Sequence, residues 1–455
     1  MFVEVNVLTP ATPSSKTDAN VQAMMDPNAP YYVDGRDVVK WTSHRLFGAN
    51  NIGRIEFTES DDYAFDSTFW SHVNVNDLMA KMSARSVVLA FNMVRSLTFS
   101  ICHVPLTTLV LQLGQDDQMP NCTMLPCTLT ELTIGGQFNS TLGALPDNLI
   151  TLKLMVDIPI APGTLPLRLR SIFFGGEFNQ PIADGTFPPT LERVHFGGSF
   201  DQPLTSTNLP ESVTDVTLIN SYYRHPFSHR ACVKLIMRRD TIFAPGIVFP
   251  NLTQLETLVS ADVLIPSTFP ALRSLDYHVW NYLEMDYSTL PHTLTELNTN
   301  VGRQITSFPH GLDHLYLRCS GSGFRLTNTT LPRSLRSLSL FAYKHPIEAE
   351  LLPATLTSLT TINCKHVLDP RQIPPSIHTL SIRLQPVDTK HLAQVLATTS
   401  LFSIILSDRG SFYHELYRIS DTLFLKYEHS ILFRVTECAF IDIDSIIALY
   451  HKSKD

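Results

Sequence analysis

Apolar residues along this chain repeat with two nested spacings. From residue 125 onward an apolar residue followed by proline recurs as Leu125-Pro126, Leu145-Pro146, Leu165-Pro166, Phe187-Pro188, Leu209-Pro210, Phe249-Pro250, Phe269-Pro270, Leu290-Pro291, Phe308-Pro309, Leu331-Pro332, Leu352-Pro353 and Ile373-Pro374. Successive prolines lie 18 to 23 residues apart except for one gap of 40, which holds two registers with one anchor lost. Val233 to Ile236 supplies suitable residues for the degenerate repeat in that gap. After most anchors, apolar residues fall three, six and often eight places beyond the proline, as at Leu129, Leu132 and Ile134 and again at Leu335, Leu338 and Leu340. The unit is Pro-x-x-Leu-x-x-Leu-x-Leu. Its closing Leu-x-Leu alternates as a half-buried strand does. A fixed period near 21 residues marks a solenoid, in which each unit buries its apolar side against its neighbours.

Such a period is too short for a strand and a full return helix. The return must be tight and extended, which the fixed torsion of proline favours and its missing N–H tolerates. The pattern therefore predicts a leucine-rich-repeat-like solenoid, mostly β, with a long parallel sheet and short irregular returns, capped at both ends. A third element follows the strand in the best copies: IGGQFNSTL at 134–142, FGGEFNQPI at 174–182 and FGGSFDQPL at 196–204. The Phe178-Asn179-Gln180-Pro181-Ile182 and Phe200-Asp201-Gln202-Pro203-Leu204 cores, each preceded by Gly-Gly, resemble FNIP repeats, which are related to leucine-rich repeats. Weaker copies are Tyr223-Arg224-His225-Pro226-Phe227 and Tyr343-Lys344-His345-Pro346-Ile347. From 250 to 330 the strand pattern persists while the Phe-Asn-x-Pro part is lost. On this reading the glycine pairs permit positive torsion where the strand leaves the sheet. Phe138, Phe178 and Phe200 point inward and fill the space a helix would occupy.

The flanks are less regular. Residues 1–45 read as a flexible segment and 46–120 as an N-terminal cap with degenerate repeats. The latter contains the strand spacings Ile52, Ile55, Phe57 and Val94, Leu97, Phe99, a short helix capped by Asn76, and a transitional copy with Pro105, Leu109 and Leu111. The solenoid proper spans 121–387. Residues 388–455 predict a C-terminal α+β cap: a helix capped by Asp388 with Leu392, Val395 and Leu396 on one face, then β-rich runs at Leu401–Leu406, Leu423–Tyr427 and Ser430–Val435.

Composition narrows the function. Charged residues are 17% and hydrophobic ones 44% of 455, the balance of a folded chain rather than a disordered or membrane-spanning one. Net charge is -8 without a basic block, which disfavours nucleic acid, since cationic side chains supply most of that affinity. The N-terminus lacks the basic and apolar regions of a secretory leader. Seven cysteines, odd in number and scattered, predict a reducing compartment and a cytoplasmic protein.

No spaced constellation predicts catalysis, a metal or a cofactor, so the expectation is a non-enzymatic chain. His225 and His229 stand four apart, but Pro226 breaks the helix that would bring two imidazoles together. Cys122 and Cys127 have no partner pair and read as core thiols. The glycine pairs lack the lysine of a phosphate loop. What remains is the outward face of the sheet, formed by the residues flanking the second apolar residue of each strand. Most are Ser or Thr, a soluble strand surface. Lys153, Phe173, Arg193, His195, Asp276, His314 and Tyr316 differ, because aromatic and guanidinium groups anchor interfaces. They are the candidate contacts of a protein partner on a preformed face. The FNIP resemblance adds one alternative, a substrate adaptor of a ubiquitin ligase with an F-box before the repeats. Residues 35–100 show no Leu-Pro-rich three-helix pattern of that kind.

Overall fold

The computed structural model describes residues 3–5, 54–59, 86–90, 106–113, 115, 118–120, 122–237, 243–257, 264, 266–277, 287–302, 305, 307–319, 323–327, 329–364, 373–383, 394, 396, 401, 403–407, 412–430 and 435–451. They fall in two compact units, Met1–Ile247 and Val248–Asp455. In the first, β1 (Val3–Val5) pairs antiparallel with β2 (Arg54–Glu59). From β2 a parallel ladder runs through β3 (Ser86–Ala90), β4 (Thr108–Leu113), β5 (Glu131–Gly136), β6 (Thr151–Leu154) and β7 (Ser171–Phe174). It continues through β8 (Arg193–Phe196), β9 (Asp215–Leu218) and β10 (Lys234–Met237). Strand β10 lies in the 40-residue proline gap, at the run Val233 to Ile236 expected to hold the degenerate repeat, and extends one residue further to Met237.

The second unit repeats the scheme. Its parallel ladder is β11 (Gln254–Thr257), β12 (Ser274–Tyr277), β13 (Glu296–Val301), β14 (His314–Cys319), β15 (Ser337–Phe341), β16 (Ser358–Ile362), β17 (Thr379–Arg383) and β18 (Ser403–Ser407). The chain then reverses into an antiparallel meander of β19 (Phe412–Arg418), β20 (Leu423–Ser430) and β21 (Val435–Asp442), followed by α1 (Ile443–His451). The predicted helix start at Asn76, the strand pattern at Val94–Phe99 and the cap at Asp388 lie outside the described residues.

The repeat follows from one hydrogen bond. The carbonyls of Pro126, Pro146, Pro166, Pro188, Pro332 and Pro353 accept the N–H three residues on, at 3.0 to 3.2 Å, closing a turn that aims the next leucine inward. Two coils do this differently. There Phe249 and Phe269 supply the accepting carbonyl, to Leu252 and Leu272, and Pro250 and Pro270 are exposed. This one-residue slip explains why the first leucine comes two residues after those prolines rather than three.

Within β4 to β16, the second and fourth residues of each strand are buried. Leu132, Ile134, Leu152, Leu154, Leu338 and Leu340 are 0% exposed. Behind them the returns pack aromatic rings in two columns. Phe174 stacks on Phe196 at 5.2 Å, Phe178 on Phe200 at 6.1 Å, and Phe200 on Tyr223 at 6.4 Å. Within a coil the columns touch, Phe174 to Phe178 and Phe196 to Phe200 both at 4.0 Å. Parallel rings one coil apart are how a helix-free return fills its interior.

The glycine pairs serve a different purpose from the one expected. Gly136 has φ +91°, but Gly175, Gly176, Gly197 and Gly198 are not in the left-handed region. Instead the first glycine of each later pair lies directly on the preceding coil. A Cβ on Gly197 would sit 1.9 Å from the Gly175 carbonyl oxygen, and one on Gly175 would sit 2.8 Å from the Met155 Cα. Glycine is needed there for backbone approach, not for torsion.

Candidate functional site

The outward face of each unit is made of the first and third strand residues. In the first unit, parallel register sets Lys153, Phe173, His195 and Thr217 in one row and Thr151, Ser171, Arg193 and Asp215 in the next. Four of the seven candidates thus meet on three adjacent strands. The Phe173 and His195 rings are 5.9 Å apart and tilted by 35°, both half-buried. Lys153 Nζ donates to Glu131 Oε1 at 2.5 Å, so its charge is matched on the preceding strand. Arg193 is exposed and donates from Nε to Ser171 Oγ at 3.0 Å. That contact covers Ser171, which is 2% exposed although its position is an outward one.

Burial holds the His195 imidazole below its ordinary value, against the opposing pull of Asp215 on the next strand. The site at neutral pH is an aromatic pair with a neutral imidazole, flanked by one matched ammonium and one guanidinium.

The other three candidates occupy the second unit. Asp276, Asn298 and Tyr316 share a row, and Glu296 and His314 stand beside it. Asn298 Nδ2 donates to Asp276 Oδ2 at 2.9 Å. Arg318, two residues beyond Tyr316, lies over the Phe341 ring at 5.4 Å. Further along, Ser337, Ser339, Ser358, Thr360, Thr379 and Ser381 form two rows of hydroxyls.

Nothing in the described residues arranges a nucleophile beside a base. The Cys319 thiol is pushed up to about 12 by burial, and burial also raises Cys232 and Cys364, so these sulfurs stay protonated. His229 is buried, with Nε2 2.7 Å from the Val213 carbonyl, and His225 Nε2 lies 3.0 Å from the Asp201 carbonyl. The two imidazoles serve separate structural bonds. Among the described residues, no group of three or more His, Cys, Asp or Glu could hold a metal ion, and no helix is long and apolar enough to cross a membrane.

Two ladders on the returns had no clear signal beforehand. Hydroxyls two places after the anchor proline donate to a carbonyl of the preceding coil: Thr128 to Leu106 at 2.6 Å, Thr190 to Leu167 at 2.6 Å, Thr355 to Arg333 at 2.7 Å. The Asn of the Phe-Asn-x-Pro core is the second. Asp157 Oδ1 accepts from Asn179 N at 2.9 Å, Asn179 Oδ1 from Asp201 N at 2.8 Å, and Asp201 Oδ1 from Arg224 N at 3.0 Å. Gln180 and Gln202 side chains donate into the same oxygens at 3.1 Å. Where Tyr replaces Phe, its hydroxyl accepts a backbone N–H from the preceding coil, Leu204 to Tyr223 at 3.2 Å and Leu326 to Tyr343 at 2.9 Å.

No curated protein matches the chain. Among solved structures it is similar to the crystal structure of CroV588, described as a novel circular LRR protein, at 20% identity and a TM-score of 0.46. The match covers 71% of this chain and 56% of that one, so this chain spans little more than half its length. The family model for the FNIP Repeat matches residues 157–199 and 178–221. Those residues carry the stacked Phe178 and Phe200 and the Asp157–Asn179–Asp201 ladder, and through them residues 157–221 are FNIP repeats within a leucine-rich-repeat-like solenoid fold.

Proposed function

We propose that the chain is a non-catalytic protein-interaction scaffold that binds a protein partner on the outward face of its parallel sheet. The observation that carries this reading is the Phe173–His195 pair, a half-buried aromatic surface with Lys153 next in its row and Arg193 in the neighbouring row, on three adjacent strands. Such a face is organised before binding, so little side-chain freedom is lost on association. Aromatic and guanidinium groups at its centre are the residue types that concentrate interface energy. Tyr316, Asp276 and His314 extend the same chemistry on the second unit. The odd number and scattered placement of the seven cysteines support a cytoplasmic setting.

An F-box adaptor draws no support. Within 35–100 the described segments, β2 and β3, are strands of the parallel ladder, where an F-box needs helices.

The test is a quantitative pull-down from lysate with the wild-type chain and the Phe173→Ala/Tyr316→Ala double variant, run beside thermal melts of both. Proteins captured by the wild type and lost by an equally stable double variant are the expected result. The same proteins captured in equal amounts by a fully folded double variant would end the sheet-face reading.

A further inference from the structure

The turns that carry the anchor prolines form an edge of the solenoid, and this edge differs in charge between the two units. Coil stacking there can be followed atom by atom in the second unit. A Cβ on Gly311 would sit 3.0 Å from the His292 carbonyl oxygen, Ser334 Oγ donates to the His310 carbonyl at 2.7 Å, and Thr355 Oγ1 to the Arg333 carbonyl at 2.7 Å. His292, His310 and Arg333, each one place beyond its proline, are therefore stacked on successive coils, and all three are exposed.

A second column runs beside them. Thr295 N donates to the Arg273 carbonyl, Asp313 N to Thr295 and Arg336 N to Asp313, at 2.8 to 2.9 Å. It contributes exposed Arg273 and Arg336. Only one carboxylate, Asp313, stands in this column, 3.8 Å from Arg336 Nε. Among the described residues, neither Arg273 nor Arg333 has a carboxylate within ion-pair distance. The same turn position in the first unit holds Cys127, Asp147, Leu167, Pro189 and Glu211, which carry acidic or apolar side chains instead.

We propose that this basic turn edge of the second unit, formed by Arg273, His292, His310, Arg333 and Arg336, is an interaction surface for an acidic segment of a protein partner. It is separate from the sheet face and stands whether or not that face binds. Charge complementarity is the argument: Arg273 and Arg333, exposed and without a carboxylate partner among the described residues, stand three coils apart with His292 and His310 on the two coils between, and guanidinium groups favour carboxylates, which they engage two hydrogen bonds at a time. Nucleic acid fits less well, because a phosphate backbone needs more cations than three arginines, and the chain as a whole carries -8.

Fluorescence anisotropy of the full chain with a labelled octaglutamate peptide tests this, alongside a labelled single-stranded oligonucleotide and a Gly-Ser peptide. The octaglutamate should bind, weaken with added salt, and lose at least about tenfold in affinity in Arg273→Glu/Arg333→Glu. Lys344→Glu, an exposed cation on a return away from this edge, should bind like wild type. Arg273→Ser/Arg333→Ser, which adds no negative charge, should weaken binding in the same direction. Absence of octaglutamate binding at low salt, unchanged affinity in both double variants, or tighter binding of the oligonucleotide than of the peptide would each overturn the proposal.

Discussion

Asn179 accepts the backbone N–H of Asp201 on its Oδ1 at 2.8 Å, and so stands in for a strand partner in a part of the coil that has no strand. One side chain per turn thereby carries the hydrogen bonding of the return. Stacked returns leave backbone donors facing the next coil, and an unmet donor costs about 1 to 3 kcal/mol where water is excluded. This gives the Asn of the repeat a physical reason.

Asn179→Ala should therefore destabilise the chain by about 1 kcal/mol, since it removes one acceptor at a largely exposed site. Asn179→Asp keeps the oxygen and should come close to wild type. Urea midpoints of the three proteins measure the difference. An alanine variant as stable as the aspartate one would mean that water meets the Asp201 N–H equally well.

Phe178 is 0% exposed and stacks on Phe174 and Phe200. Phe178→Ala should cost about 3 to 5 kcal/mol, because the coils on either side hold the cavity open. Thermal melting followed by circular dichroism reads this. A change below about 0.5 kcal/mol would place the ring outside the core.

The two glycines of one pair should behave differently. Gly197→Ala puts a methyl group 1.9 Å from the Gly175 oxygen and should force neighbouring coils apart, with a clear loss of melting temperature. Gly198 has nothing within 4 Å of such a methyl and should accept alanine with little change. Equal tolerance at both positions would contradict the close stacking of the coils.

His229 sets a pH dependence. Burial pulls its pKa below the ordinary 6.5, with the Val213 carbonyl and Glu211 opposing. A carbonyl only accepts, so Nε2 carries the proton of the neutral ring. The unfolded chain then binds a proton more readily than the folded one as pH falls below 6.5, so the stabilisation is full above that value and declines beneath it towards the lower folded pKa. Urea midpoints at pH 7.5 and about 5.5 should show this loss. His229→Gln, which retains a donor, should reduce it. An unaltered pH slope in that variant would assign the acid sensitivity to other groups.

The sequence by itself determined the solenoid. Parallel coils need an apolar residue at each inward position of each strand, and a turn that resets the register every coil. Leu-x-Leu and the apolar-Pro anchor are those two requirements written as residues. Even β10 was legible without its proline, from the run Val233 to Ile236, and the structure adds Met237 to Leu235 as its buried residues. The aromatic filling was legible in the same way, because nothing but large apolar side chains can replace a helix inside the coil.

The tertiary structure decided what depends on the neighbouring coil. Gly197 is required by the carbonyl of Gly175, 22 residues earlier, a contact that no local torsion rule anticipates. Ser171 lies at an outward position and is nonetheless buried, because Arg193 of the next strand covers it. The slip at Phe249 and Phe269 follows from which carbonyl closes the turn, and the residue types do not specify that choice. Strands β18 and β20 were visible as the apolar runs Leu401–Leu406 and Leu423–Tyr427, while most of the run expected at Ser430–Val435 lies outside the described residues and the reversal from parallel to antiparallel pairing appears only when the strands meet. Residue spacing records what each coil needs from itself, whereas side-chain cover, backbone approach and the juxtaposition of His292, His310 and Arg333 are properties of two or more coils in contact.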